Sequence, residues 1–303
     1  MISVAIPTYN GEKYLREQLD SLYNQTLVPD EIVVVDDCSK DGTVSILEEY
    51  RNRYGLKYVI NETNLGYNKN FEKAISLCTG DYIALCDQDD IWLPEKIQKA
   101  FDRISQFPLN EPSLVSSFSC TDKRILETPI PCGRKDGDWR MNFIEYESQG
   151  CTLMFNRALR DYILPFPEGI MYDGYIGFVA ALIGNREYIG ENLMYYRIHQ
   201  NNSFQDNRRQ SVLSTAKRNL LKYVPLWNPK ARYDALNLVR SKFEKEAIQE
   251  HKKYLNNMMS LYETPALRRI PILWDIREIP IRIKLLCSAL LFVKAVFQIP
   301  DKY

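Results

Sequence analysis

Ile32-Val33-Val34-Val35-Asp36-Asp37-Cys38-Ser39-Lys40-Asp41-Gly42-Thr43 is the stretch on which the fold class turns. An unbroken β-branched run with no polar alternation reads as a strand buried on both faces. It closes on two carboxylates and then on turn and cap formers. On its amino-terminal side, Ile2 to Ile6 reads as another strand ending at Pro7, with Tyr14-Leu15, Leu19 and Leu22 at helical spacing between them. On its carboxyl side, Val44, Ile46-Leu47 and Tyr50 predict a helix and Tyr58-Val59-Ile60 a third strand. Phe71, Ala74-Ile75 and Leu77 predict the next helix, before Tyr82-Ile83-Ala84-Leu85. Apolar strands alternating with helices predict an α/β chain with a mostly parallel central sheet and helices on both faces. Ligands in such sheets bind beyond the carboxyl ends of the strands. The polar clusters Thr8-Tyr9-Asn10, Asp36-Asp37, Asn61 to Asn64 and Asp87 to Asp90 all fall there.

Beyond Pro108 the pattern loosens, with strands expected at Leu114 to Phe118, Thr152 to Phe155 and Leu193 to Arg197. From about Arg208 long helical patterns rich in Lys, Arg, Leu and Tyr take over. Ile279 to Phe297 carries Leu285-Leu286, Leu290 to Val293 and Val296-Phe297 among Arg282, Lys284 and Lys294. That is shorter and more charged than the roughly 20 apolar residues a bilayer crossing needs. Two readings stand for it: a basic amphipathic helix on a membrane surface, or a C-terminal helix packed on the body.

With 45% hydrophobic residues, the chain can bury a sizeable core. Its 39 basic and 39 acidic residues balance, which argues against a nucleic-acid binder held by a general electrostatic footprint. Seven cysteines, scattered and without a CxxC pair, indicate neither a disulfide framework nor a zinc site. The opening Met1 to Pro7 lacks the features of a signal peptide, and a cytoplasmic protein is expected.

Asp87-Gln88-Asp89-Asp90 carries the clearest chemistry. Three carboxylates within four residues at a strand end repel one another unless a cation or hydrogen-bond donors compensate. Oxygen ligands of this kind suit Mg²⁺ or Mn²⁺ bridging to substrate phosphates. The plainer alternative is a solvated acidic loop capping the helix that starts near Pro94. Asp36-Asp37 could accept a base N–H or ribose hydroxyls, or cap the following helix as Ser39 and Asp41 also could.

Together, Ile6-Pro7-Thr8-Tyr9-Asn10-Gly11, Val35 to Thr43, Asn64-Leu65-Gly66 and Asp87-Gln88-Asp89-Asp90 resemble the successive motifs of family 2 glycosyltransferases. The Asp-Gln-Asp-Asp-Ile-Trp variant and Gly150-Cys151-Thr152-Leu153-Met154-Phe155-Asn156-Arg157 are similar to a bacterial branch that includes rhamnosyltransferases of surface-polysaccharide synthesis. The resemblance implies a GT-A fold over residues 1–205, with a nucleotide-sugar half (1–107) and an acceptor half (108–205), before a helical extension (206–303). It implies that Pro7, Thr8, Tyr9 and Asp37 hold the nucleoside, Tyr9 by stacking and Asp37 by accepting an imide N–H, with Asp36 a second candidate. Asn64, Gly66, Lys69, Asp87 and Gln88 are implied at the donor, with Asp87 facing the ribose. Asp89 matches the Mn²⁺ or Mg²⁺ position, and His199 is implied as a further metal ligand or a diphosphate contact, against the alternative of an ordinary loop histidine. Arg197, Gly150 and Cys151 are implied at phosphate or acceptor contacts.

Met171-Tyr172-Asp173-Gly174-Tyr175 resembles the family's acidic residue at a helix start, so Asp173 is expected to take the acceptor hydroxyl's proton, the alternative being a helix cap. The sequence departs from the pattern at Tyr172 and Gly174, and at Cys38, where glycine is common and the turn is expected to be tighter or differently angled. The implied activity is inverting sugar transfer from a UDP-hexose or dTDP-rhamnose to a glycan or lipid-linked oligosaccharide, at the inner face of the cell membrane. A sugar nucleotidyltransferase would need a Gly-rich basic loop after the first strand, which Thr8 to Glu12 lacks. A catalytically silent carbohydrate-binding module sits poorly with intact Asp37, Asp89 and Asp173.

Overall fold

The computed structural model describes residues 1–133, 136–140, 149–199, 230–263 and 271. The segment from Ile279 to Phe297, with its two readings, lies outside the described residues.

The strands are β1 (Ile2–Thr8), β2 (Glu31–Asp36), β3 (Lys57–Ile60), β4 (Tyr82–Leu85), β5 (Ile91–Trp92), β6 (Ser113–Cys120), β7 (Gly137–Asp138), β8 (Leu153–Asn156) and β9 (Asn185–Tyr195). The described helices are α1 (Leu15–Tyr23), α2 (Thr43–Tyr54), α3 (Tyr67–Leu77), α4 (Lys96–Ile104), α5 (Arg157–Ile163), α6 (Tyr172–Ile183), α7 (Lys230–Lys242) and α8 (Gln249–Glu263). One sheet runs β3-β2-β1-β4-β8-β6-β9-β5, with β7 beside β9. β1 pairs in parallel with β2 and β4, β2 with β3, and β6 with β9. β8, β5 and β7 run antiparallel to their neighbours.

Side chains alternate along the central strands, and both faces are covered. Ile32 and Val34 join α1 and α2 residues such as Leu19 and Leu47 in one core cluster. Val33 and Val35 join Phe71 and Ile75 of α3, with most of α6, in the other. At about 1.5–3 kcal/mol for each fully buried large aliphatic side chain, this packing outweighs any helix propensity. β3 is the edge strand, so its apolar run is not buried: Val59 and Ile60 are 40% and 45% exposed. Leu236 and Val239 of α7, Phe243 just after it and Leu255 of α8 are buried in the same cluster as α6.

The strand expected at Leu193 to Arg197 begins earlier, at Asn185, and ends at Tyr195. Its first half reads as polar, yet Arg186 is buried, with its guanidinium 3.9 Å from the Tyr188 ring centroid and a hydrogen bond of 3.0 Å to Ser116 Oγ. Among the described residues no helix is long and apolar enough to cross a membrane.

Candidate functional site

The order of connections reverses between β1 and β4, and this switch point opens a crevice at their carboxyl ends. Gln88 bridges it. The Tyr9 amide donates to Gln88 Oε1 (2.9 Å), and Gln88 Nε2 donates back to the Tyr9 carbonyl (3.1 Å). A Cβ on Gly11 would stand 2.3 Å from Gln88 Oε1, so a larger residue there would push the Gln88 amide away from Tyr9. The Tyr9 ring, on the strand end after Pro7, is 48% exposed and free to stack.

Register pairs Thr8 with Asp36, so the ends of β1 and β2 lie side by side. Thr8 Oγ1 donates to Asp36 Oδ1 (2.9 Å), which also accepts from Ser39 Oγ (2.6 Å), while the Ser39 amide donates to Oδ2 (2.9 Å). Asp37 Oδ1 accepts from Asn61 Nδ2 (2.8 Å) and the Leu65 amide (2.7 Å), and Oδ2 from the Gly66 amide (2.9 Å). Asn64 Nδ2 reaches the Asp37 carbonyl at 3.3 Å. Asn70, buried in α3, holds this network through Asn61 and the Val35 carbonyl. Cys38 takes φ +66°, the left-handed conformation a glycine would supply. A cysteine thus stands here in a conformation that glycine adopts freely.

The acidic loop after β4 is built differently. Asp87 and Asp89 are half-buried and Asp90 fully buried. Burial raises the Asp87 and Asp90 carboxyls above their ordinary range, and the neighbouring carboxylates push both further. Asp90 Oδ1 accepts from the Arg197 amide (3.0 Å), while its Oδ2 has no hydrogen-bond partner among the described residues. Arg197 Nε donates to the Asp89 carbonyl (2.8 Å), and its far end pairs with Glu17 of α1 (2.5 Å). Two residues on, His199 Nε2 sits 2.8 Å from Asp89 Oδ2.

Cis ligands on an octahedral ion at about 2.0–2.1 Å stand about 3 Å apart. The 2.8 Å between Asp89 Oδ2 and His199 Nε2 therefore fits one small divalent cation bound by both. A second group, Asp87, Asp90 and Cys151, brings its ligand atoms within 4.8 Å of one another. A thiol suits softer metals than Mg²⁺ or Mn²⁺. Positive charge is already near this group: the buried Lys96 lies 4.5 Å over the Trp92 ring, within electrostatic reach of Asp90 and Cys151, and burial lowers it to about 8. Sequence patterning gave no signal for Lys96, because a lysine in the first turn of a helix ordinarily points to water.

Asp173 opens α6 on the opposite wall, close enough for its charge to act on Asp87. Burial raises its carboxyl to about 6, against the Gly174 amide, which donates at 2.7 Å. Tyr172 is buried and stacked on Phe71 (4.2 Å), and a Cβ on Gly150 would fall 1.8 Å from its hydroxyl. Gly150 and Cys151 thus form the floor between Asp87 and Asp173, with Cys151 fully buried. Asn68 fixes the entry to α6 by donating to the Ile170 carbonyl (2.9 Å) and accepting from the Tyr172 amide (2.9 Å).

The structure thus gathers Pro7, Thr8, Tyr9, Asp36, Asp37, Asn64, Gly66, Asp87, Gln88, Asp89, Gly150, Cys151, Asp173, Arg197 and His199 around the ends of β1, β2 and β4. Lys69 instead pairs with Glu72 one turn along α3 (3.0 Å). Asn70, Tyr14 and Lys96 are contributors that the sequence does not mark, while Asn61 is marked only as part of a polar cluster at a strand end.

The family described as Glycosyl transferase family 2 matches residues 3–163. The chain is 27% identical over 266 residues to the dTDP-rhamnosyl transferase RfbG of Shigella flexneri, covering 80% of this chain and 81% of that one. An uncharacterised Mycobacterium tuberculosis protein, Rv1520, is 37% identical over 111 residues, which is 35% of this chain and 32%, about a third, of that relative's length. Among solved structures, TarS 1–349 of Staphylococcus aureus in complex with UDP superposes with TM-score 0.58 at 21% identity, covering 97% of this chain and 87% of that one. A Pyrobaculum calidifontis mannosyltransferase in complex with GDP-Man and Mn²⁺ superposes with TM-score 0.53 at 17% identity, covering 100% and 88%.

Proposed function

The chain belongs to glycosyl transferase family 2 and has the GT-A fold, and from that premise we propose that it moves a sugar, with inversion, from a uridine or thymidine diphospho-sugar to a hydroxyl of a growing surface glycan. The observation that carries this reading is the meeting, in one crevice, of the Asp89–His199 pair at 2.8 Å and Asp173 on the facing wall. Asp89 and His199 would hold a divalent cation, which supplies positive charge to a departing nucleoside diphosphate. The mannosyltransferase crystallised with Mn²⁺ supports a divalent cation in this fold.

Tyr9 offers its exposed ring to the base, and Asp37 retains one of about four carboxylate lone-pair positions for an imide N–H. Asp173, held at about 6 by burial, is ionised at neutral pH yet basic enough to accept a proton from an attacking hydroxyl. One base acting on a hydroxyl opposite the leaving group gives direct displacement, hence inversion.

RfbG, matched over four-fifths of both chains, favours dTDP-rhamnose as the donor, with UDP-hexoses second. A lipid-linked acceptor and a position on the cytoplasmic membrane face belong to the same proposal. Thermal stabilisation by a panel of nucleotide-sugars in Mn²⁺ tests it, since a ligand bound to the folded state raises its stability by mass action. Stabilisation by dTDP-rhamnose, with slow Mn²⁺-dependent release of dTDP, is expected. A flat response to every donor would reject the proposal.

A further inference from the structure

We propose that Tyr14 and Glu17, at the start of α1, are positioning residues that hold the Arg197–His199 arm in place so that His199 Nε2 meets Asp89 before a cation arrives. The inference rests on the reading of Asp89 and His199 as metal ligands and goes beyond it by naming what aligns them.

The geometry is a clamp. The Tyr14 ring stacks on the His199 ring, with centroids 4.6 Å apart and planes 28° from parallel. The Arg197 guanidinium lies 4.7 Å from the centroid of the same Tyr14 ring. Arg197 then reaches Glu17 Oε2 at 2.5 Å, one helical turn beyond Tyr14. Through its other contacts, to the Asp89 carbonyl at 2.8 Å and Asp90 Oδ1 at 3.0 Å, the same arginine is tied to the acidic loop. Turning the His199 imidazole away from Asp89 would break its stack on Tyr14, and moving the arm would break the Arg197 contacts with Tyr14 and Glu17 on α1.

The two α1 residues should not contribute equally. Glu17 is 56% exposed, and an exposed ion pair is worth up to about 1 kcal/mol, or about fivefold. Tyr14 is half-buried and touches both arm residues. The core beneath α1 is made by Leu15, Leu19 and Leu22, so truncating Tyr14 leaves the hydrophobic packing of the helix intact.

Residues that orient a metal ligand typically change affinity by about 10–100-fold when removed. Mn²⁺ binding to the whole 303-residue chain, followed by electron paramagnetic resonance without substrate, should weaken about tenfold or more in Tyr14→Ala. It should return to within about twofold in Tyr14→Phe, which keeps the ring. Glu17→Gln should weaken it by no more than about fivefold. The deciding measurement is the cycle with His199→Ala: once the imidazole is gone, Tyr14→Ala should change Mn²⁺ affinity no further. Additive losses, or unchanged Mn²⁺ affinity in Tyr14→Ala while His199→Ala loses it, would overturn the positioning role and leave the ligand assignment standing. Unchanged Mn²⁺ affinity in His199→Ala would remove the ligand assignment and the inference with it. Should Tyr14→Ala lose its thermal transition, Tyr14→Leu carries the same cycle with the helix surface better filled.

Discussion

Two acidic strand ends lie beside each other in this crevice and are built in opposite ways. At the end of β2, the Asp36 and Asp37 carboxylates accept hydrogen bonds from Thr8, Ser39, Asn61, Leu65 and Gly66. Five donor residues tie β1, the turn at Cys38 and the Asn64-Leu65-Gly66 turn into one rigid corner. At the end of β4, by contrast, burial raises Asp87 and Asp90, with the charges of Asp89 and Asp173 pushing Asp87 further and those of Asp87 and Asp89 pushing Asp90, and Asp90 Oδ2 has no hydrogen-bond partner among the described residues. Clustered like charges in a low-dielectric site cost free energy unless positive charge is brought in. The β2 end is thus a rigid anchor that shapes the nucleoside's side of the site, and the β4 end, with Asp173 facing it, is where metal binding and chemistry should concentrate. Substitutions can break or sharpen this division.

The largest effect should come from Asp173. Asp173→Asn should lower kcat by about two to four orders of magnitude with donor affinity kept, the usual worth of a general base. In the parent, kcat should fall as pH drops through about 6, where the carboxylate takes up its proton. Stability should run the other way. The folded value, about 6, lies above the ordinary 3.8, so between them the folded state binds the extra proton and stability falls as pH rises. Asp173→Asn should therefore melt higher than the parent above pH 6 and little differently below 3.8. A variant that retains full turnover would take Asp173 out of the chemistry, and one that loses donor binding would make it an anchor like Asp37.

Next in size is Asp89→Ala. Mn²⁺-dependent donor binding should drop by about a hundredfold or more by calorimetry, while Tm shifts by less than about 2 °C. Asp37→Ala should instead lose stability, along with the donor affinity that its contact to the base would supply. It strands three donors, from Asn61, Leu65 and Gly66. At about 1–3 kcal/mol for each buried group left unpaired, offset where water enters, denaturant unfolding should reveal a loss of about 2 kcal/mol. If Asp89→Ala were the destabilised variant and Asp37→Ala the stable one, the division into anchor and reactive end would be backwards.

The same division explains what could be read in the sequence. The β-branched runs of β1, β2 and β4 and the carboxylates that close them carry a local pattern, and they gave the α/β class and most of the crevice. β5, the first half of β9 and the Lys96 ammonium carry none, because their placement depends on partners far along the chain. Ile91–Trp92 is a strand only because β9 lies against it. Arg186 and Lys96 are buried beside the ring faces of Tyr188 and Trp92, and Arg186 also donates to Ser116. Tyr14 looked like one more apolar residue on the α1 stripe, and its contacts with His199 and Arg197 cross nearly the whole described catalytic region. Lys69 shows the converse: its place in the motif suggested a donor contact, while Glu72 one turn away gives it a local partner.

The smallest effect separates backbone from side chain in the anchor itself. Cys38 holds φ +66° between Asp37 and Ser39. A residue with a Cβ in the left-handed region costs about 1–2 kcal/mol relative to glycine, which adopts it freely. Glycine also gains about 0.4–1 kcal/mol of unfolded-chain entropy, which opposes the benefit. Cys38→Gly should therefore stabilise the protein by about 0.5–1 kcal/mol net, read as a higher denaturant midpoint at unchanged slope. Cys38→Ala keeps the Cβ and loses only the thiol, which sits 3.1 Å from the exposed Lys40 ammonium, so its midpoint should stay near the parent's. Since Asp36 and Asp37 hold the turn on either variant, donor affinity should move by less than about twofold in both, well inside the typical range for surface changes. Stabilisation by alanine rather than glycine would place the cost in the thiol's surroundings. It would also mean that the hydrogen bonds to Asp36 and Asp37 hold the turn without strain at residue 38.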